Sequence, residues 1–290
     1  MPLEEKQHYN PLGRLFYRLG RLWINSYVGK LLGIIFKSIG ALFSIDRKRF
    51  RTEFRQIVMQ VFFTGIEALP LIALIAIVLG TLTITQALTV MPKMGFTDFF
   101  GNLMVIIIIR ELGPVLTAFL IAGRTGSALA AYVGNMRVES EVDALETMGI
   151  DPIKYLVMPA MVGGIFALII LSTLFSTIAI VVGFFVAKGL VVVMQSMLEG
   201  KLMWDHYLDS ILMSLQAMDF VMIVLKPLVF GALITSNACL FGMSVEKDIR
   251  EVPKSISRSV VYSFITIIIA NLILSLAYFV GYIQTISTVI

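Results

Sequence analysis

The chain has 290 residues, 58% of them apolar and only 14% charged, with a mean hydropathy of +0.91. A soluble domain needs about a quarter of its residues charged, so this composition excludes one and leaves an integral membrane protein with room for several spans of about 20 residues each. The net charge of +4 is unevenly placed, because 11 of the 23 lysines and arginines precede Gln56. Residues 1–10 read as a polar, disordered start. From Leu12 the apolar residues Leu12, Leu15, Phe16, Leu19, Leu22 and Trp23 recur at helical spacing, with Arg14, Arg18 and Arg21 opposite. A basic amphipathic helix with a tryptophan on its apolar side predicts an element lying in the headgroup region. Leu31–Phe43 is too short to span and is interrupted by Lys37, so the interfacial element extends to about Ile45. The run Arg47-Lys48-Arg49-Phe50-Arg51 marks the cytoplasmic side.

Five spans follow. The first is expected over 57–90, ending in a turn at 91–95. The second covers 98–133, too long for one straight crossing, and a kink is expected at Gly113-Pro114 because proline removes a backbone donor. The third runs over 152–187, the fourth over 211–241 after a polar segment at 199–209, and the fifth over 260–282. Counting lysines and arginines in the connections puts 17 on the side of the N-terminus, against Lys93, Lys188 and Lys201 on the other. The N-terminus is therefore expected inside and the C-terminus outside.

Between spans two and three, residues 138–149 read as a short acidic helix. At 100° per residue, Val138, Val142, Leu145 and Met148 form one stripe, and Glu139, Asp143 and Glu146 another beside it. Gly149 suits a left-handed helix cap, and Asp151-Pro152 suits the start of the next helix. Within the spans, Arg110, Glu111 and Lys226 are costly at about 2.5–3.5 kcal/mol each, so they are expected to face protein or water. They fit either a structural ion pair or a contact to a charged headgroup, and a lysine there acts as a point charge. Glu67 is a weaker candidate, and Arg124, among small residues, reads as structural.

The stretch from Arg110 to Pro159, centred on Asp143-Ala144-Leu145-Glu146-Thr147-Met148-Gly149, closely resembles the signature of the MlaE-like permeases. These are membrane subunits of ABC systems that move phospholipid or other lipids between membranes. The resemblance implies an all-α integral membrane protein in the inner membrane. A cytoplasmic and interfacial part over 1–56 precedes a transmembrane domain over 57–290. It also implies that Glu139, Val142, Asp143, Leu145, Glu146 and Met148 lie on a coupling helix that docks on an ATP-binding cassette subunit. Further implied partners are a second permease copy, a STAS-domain regulator and a substrate-binding Mce-domain protein, with phospholipid held between the two permeases. Met243–Pro253 is highly charged where the family usually has a Gly/Ala/Thr-rich loop, so the accessory partners of this loop are open.

No phosphate loop and no G-x-G-x-x-G occur, so ATP is expected on the partner subunit and no cofactor on this chain. Cys239 alone excludes an internal disulfide. Only His8 and His206 are present, without H-E-x-x-H, so neither a metal site nor enzymatic activity is expected. Nucleic acid is not an expected partner. The alternative is an ion-coupled secondary transporter of an amphipathic or anionic substrate, with Arg110, Glu111 and Lys226 as its relay.

Overall fold

The computed structural model describes residues 27–43, 50–94, 100–194 and 207–287, and every element in them is helical. Helix α1 is Tyr27–Phe43, α2 Phe50–Gly65 and α3 Leu69–Met94. One continuous helical rod then comprises α4 (Phe100–Met104), a π turn (Val105–Leu112), α5 (Gly113–Ile121), a second π turn (Ala122–Gly126) and α6 (Ser127–Val138). Short α7 (Glu141–Thr147) leads through a third π turn (Ile153–Val157) into α8 (Met158–Met194). The chain closes with α9 (Tyr207–Ser214), α10 (Ala217–Met243), a 3₁₀ turn (Ile249–Glu251) and α11 (Val252–Ser287).

Five helical stretches are long and apolar enough to cross a membrane: Leu69–Val90, Asn102–Val138, Ile153–Gly189, Ala217–Met243 and Ile249–Gly281. The second is the most enclosed, with half of its most apolar window buried, against 11% for the fifth. The rod is thus the axis, with α8 and α10 packed against it and α11 at the rim. Core side chains of α8, namely Leu168, Leu171 and Phe175, meet Ile72 of α3 and Ile108 of the rod in one apolar cluster.

Small residues set how closely these helices approach. A Cβ at Gly80 would sit 2.6 Å from the Ala179 carbonyl oxygen, and one at Gly231 would sit 2.8 Å from the Ile165 Cα. In both cases the obstacle is backbone, which cannot turn away as a side chain can. Gly231→Val is therefore expected to destabilise by about 1–3 kcal/mol as α8 and α10 are forced apart. Thermal unfolding in detergent reads it, and an unshifted transition would show that the two helices have room to separate.

Several sequence expectations change. The first span starts at Leu69 rather than 57, because the chain turns at 66–68 and α2 is a separate helix lying along α8. Helix α3 continues to Met94, through most of the expected turn at 91–95. The fourth span begins at Ala217, since Leu215 and Gln216 interrupt the helix. The fifth is part of a helix that starts at Val252. The arginine face of residues 12–26 and the polar segment at 199–206 lie outside the described residues.

The helix runs unbroken through Gly113-Pro114, where a kink is expected, and through Pro159. Each proline is preceded by a π turn, and the residue just before it, Gly113 or Met158, donates its N–H five residues back, to Ile108 O and Ile153 O. Widening the turn accommodates a residue that lacks a donor and crowds the preceding turn.

Helix α1 is anchored by a polar contact. The Tyr27 hydroxyl donates to Asn237 Oδ1 at 2.5 Å, and Asn237, fully buried, donates to Thr266 Oγ1 at 3.1 Å, joining α1, α10 and α11. Burial pushes the Tyr27 hydroxyl up to about 12, so it remains a proton donor. Tyr27, Phe241 and Tyr262 stack around this bond, with Tyr27–Tyr262 centroids 4.7 Å apart.

Candidate functional site

Arg110 and Glu111 lie on the first π turn, and the structure brings both of them to α10 and α11. Asp219 and Lys226 of α10 are seven residues apart, two turns on one face. Asn271, Ser275 and Tyr278 form a matching face on α11. Lys226 is 2% exposed and uses all three ammonium protons: to the Arg110 carbonyl at 2.8 Å, to Glu111 Oε1 at 2.9 Å and to Ser275 Oγ at 3.0 Å. The first of these bonds follows from Pro114. Having no N–H, the proline leaves the carbonyl four residues back without its α-helical donor, and Lys226 takes the vacancy. Glu111 in turn accepts from Ser275 at 2.8 Å and from Asn271 Nδ2 at 3.0 Å.

Arg110 turns to Asp219, which is fully buried. Its Nη2 donates to Oδ2 at 3.0 Å, and its Nε makes an ionic contact with Oδ1 at 2.5 Å. The guanidinium also lies 4.6 Å from the centroid of the Tyr278 ring, within cation–π range. Asp219 further accepts from the Gln216 N–H at 2.9 Å, closing the first turn of α10.

Two cations and two carboxylates therefore form one neutral cluster. Asp219 supplies the fourth charge, beside the three that the sequence singles out. Asp219 was missed, as were Asn271, Ser275 and Tyr278. The available signals were the seven-residue step from Asp219 to Lys226 and the four- and three-residue steps along α11. Glu67 and Arg124, weighed separately in the sequence, form an ion pair with each other.

The expected acidic helix over 138–149 is shorter, at Glu141–Thr147. Ser140 adopts a left-handed conformation (φ 61°), so Val138 belongs to α6 and Glu139 to the corner. The apolar stripe is accordingly divided. Val142 is buried against the bundle, whereas Met148 is 65% exposed and Glu139 and Glu146 face out. Asp143 does not face out freely. It forms ion pairs with Arg137 of α6 and with Lys247 Nζ, at 2.9 Å, from the loop after α10. The hydrogen bond from Lys247, with the charges of Lys247 and Arg137, holds the Asp143 carboxyl below its usual range. Gly149 has the expected left-handed backbone (φ 73°), and Asp151 Oδ1 accepts from the Ile153 N–H at 2.9 Å as expected.

Comparison with known proteins decides the family: the profile of Permease MlaE matches residues 57–277. The chain belongs to the MlaE permease family. A probable ABC transporter permease protein of Rickettsia bellii is 31% identical over 244 residues, 83% of this chain and 89% of the relative. The intermembrane phospholipid transport system permease protein MlaE of Haemophilus influenzae is 28% identical over 240 residues, covering 83% and 88%. The chloroplastic protein TRIGALACTOSYLDIACYLGLYCEROL 1 of Arabidopsis thaliana is 28% identical over 231 residues, covering 80% and 63%. For a member of the MlaE family, the match begins inside α2 and ends inside α11, so it takes in all four charges of the cluster and the whole of α7.

Proposed function

We propose that this MlaE-family chain is the permease subunit of an ABC transporter moving phospholipid or a related lipid between membranes. In this reading it sits in the inner membrane as a homodimer, with the N-terminal residues up to about 56 on the cytoplasmic face and the C-terminus outside. ATP is bound and hydrolysed by a separate ATP-binding cassette subunit. A STAS-domain regulator and an Mce-domain substrate-binding protein complete the proposed assembly.

The observation that carries the reading is α7. Val142 and Asp143 hold it against the bundle, and it presents Glu146 and Met148 outward, with Leu145 half-buried, at the corner between the second and third spans. A short helix fixed on one side and open on the other suits a docking element that passes motion from an ATPase to the spans. Reconstituted with its ATPase in vesicles, the complex is expected to transfer phospholipid only with hydrolysable ATP. Transfer driven by an ion gradient without ATP would overturn the reading in favour of a secondary transporter.

Arg110, Glu111 and Lys226 are the proposed headgroup contact, and it works by exchange. The cluster has no spare charge, so a phosphate reaches Arg110 or Lys226 only by displacing Asp219 or Glu111. Glu111, with 39% of its side chain exposed, is the accessible edge. Lys226→Ala and Arg110→Ala are each expected to lower the phospholipid bound per complex severalfold, with Lys226→Arg milder. Normal lipid content in assembled alanine variants would confine these residues to a structural role.

A further inference from the structure

An open cleft of about 590 Å³ lies between α2, α6 and the start of α8, apart from the charged cluster. That volume is in the range of small-ligand sites, about 300–1,000 Å³. Its walls are mainly apolar and include Met59 and Phe63 from α2, Ala128 from α6, Leu156 from the third π turn and Pro159 from α8. The mouth carries Arg55, Tyr132 and Tyr155, all exposed. Among the described lining residues Arg55 is the single formal charge, and no carboxylate opposes it.

The slot is long enough to run through about two thirds of one leaflet's hydrocarbon. Thr125 to Tyr132 on one wall and Gln56 to Phe63 on the other each advance seven residues, about 10 Å at 1.5 Å per residue. One leaflet's share of the hydrocarbon core is about 15 Å. Tyrosines belong at the headgroup level, and here they stand at the α7 end. At the inner end, the next residue along the rod is Arg124, paired with Glu67. This pair puts a polar stop where the apolar slot ends.

We infer that this slot holds one acyl chain of an anionic phospholipid from the leaflet on the α7 side, with its phosphate at Arg55. A monovalent headgroup meets an unopposed guanidinium there, and the chain replaces contact between water or loose lipid and the apolar walls. The site lies about 22 Å along the rod from Arg110, and its occupancy does not depend on how the charged cluster works.

The test uses the full permease–ATPase complex in nanodiscs of phosphatidylcholine, doped with phosphatidylglycerol or phosphatidylcholine carrying a photoactivatable acyl chain. Labelling is expected on the α2 peptide around Met59–Phe63, about tenfold stronger for phosphatidylglycerol, as one charge-assisted contact gives. Ala128→Trp fills the slot and is expected to cut labelling about tenfold. Arg55→Gln, at an exposed position that leaves folding intact, is expected to abolish the headgroup preference while the chain still labels. Equal labelling by both lipids, or a preference that survives Arg55→Gln, overturns the anionic site. Absence of label together with Ala128→Cys crosslinking between two copies overturns it in favour of a protein interface.

Discussion

Asp219→Ala is expected to be the most damaging substitution at the charged cluster, with a loss of about 3–5 kcal/mol, the cost of leaving a buried charge without its partner. Arg110 is only 13% exposed and would keep the ring of Tyr278 but no carboxylate. The same change removes the acceptor for the Gln216 N–H, so α10 frays at its first turn. Lys226→Ala should cost less, because Glu111 keeps its bonds from Asn271 and Ser275 and is partly solvated. The measurement is monodisperse yield and thermal transition by fluorescence size-exclusion chromatography. A double variant, Arg110→Met with Asp219→Leu, should recover most of the stability without the charges. Wild-type stability in Asp219→Ala would remove the pair from the list of structural determinants.

Leu145→Arg is expected to abolish assembly with the ATPase while leaving the amount of permease in the membrane unchanged. Helix α7 is fastened by buried Val142 and by the ion pairs of Asp143, while Leu145 is only half-buried, so the helix keeps its main anchors when Leu145 changes. An arginine there places a long cation at the centre of the proposed contact, where desolvating an unmatched charge is costly. Val142→Arg is the informative contrast. It should detach α7 from its own bundle and lower stability as well as assembly. Co-purification of ATPase with Leu145→Arg at the normal ratio would move the contact elsewhere.

The spans were legible because apolar length is an additive signal. A stretch such as Ile153–Gly189 reads as membrane-crossing whatever surrounds it. Their ends were less legible, since residues 66–68 and Leu215-Gln216 interrupt helices inside apolar runs and hydropathy has no term for a turn there. Pro114 and Pro159 do not end their helices. Their effect depends on whether the backbone before them widens, and that is a property of packing rather than of the proline. Among the site residues, Arg110, Glu111 and Lys226 stood out because charge within a span is rare. Asp219 carried the same signal, since it falls within the span expected over 211–241, and was passed over. Only the fold shows that it faces Arg110, across 109 residues of chain. Asp143 illustrates a further limit: helical projection grouped it with Glu139 and Glu146, but its partner Lys247 comes from a distant loop.

The neutral cluster also has a consequence for biogenesis. Arg110 and Glu111 are synthesised 109 and 115 residues before Asp219 and Lys226, and Glu111 precedes Asn271 by 160. At about 5–20 residues per second, the ribosome needs on the order of 5–20 s to deliver the first neutralising carboxylate. During that interval the second span has left the exit tunnel with two charges, each costing about 2.5–3.5 kcal/mol in hydrocarbon. The nascent second span is therefore expected to favour a wet or protein-lined setting, beside the translocon or an insertase, until the fourth span arrives. In that case release of the early spans into lipid is tied to completion of the late ones.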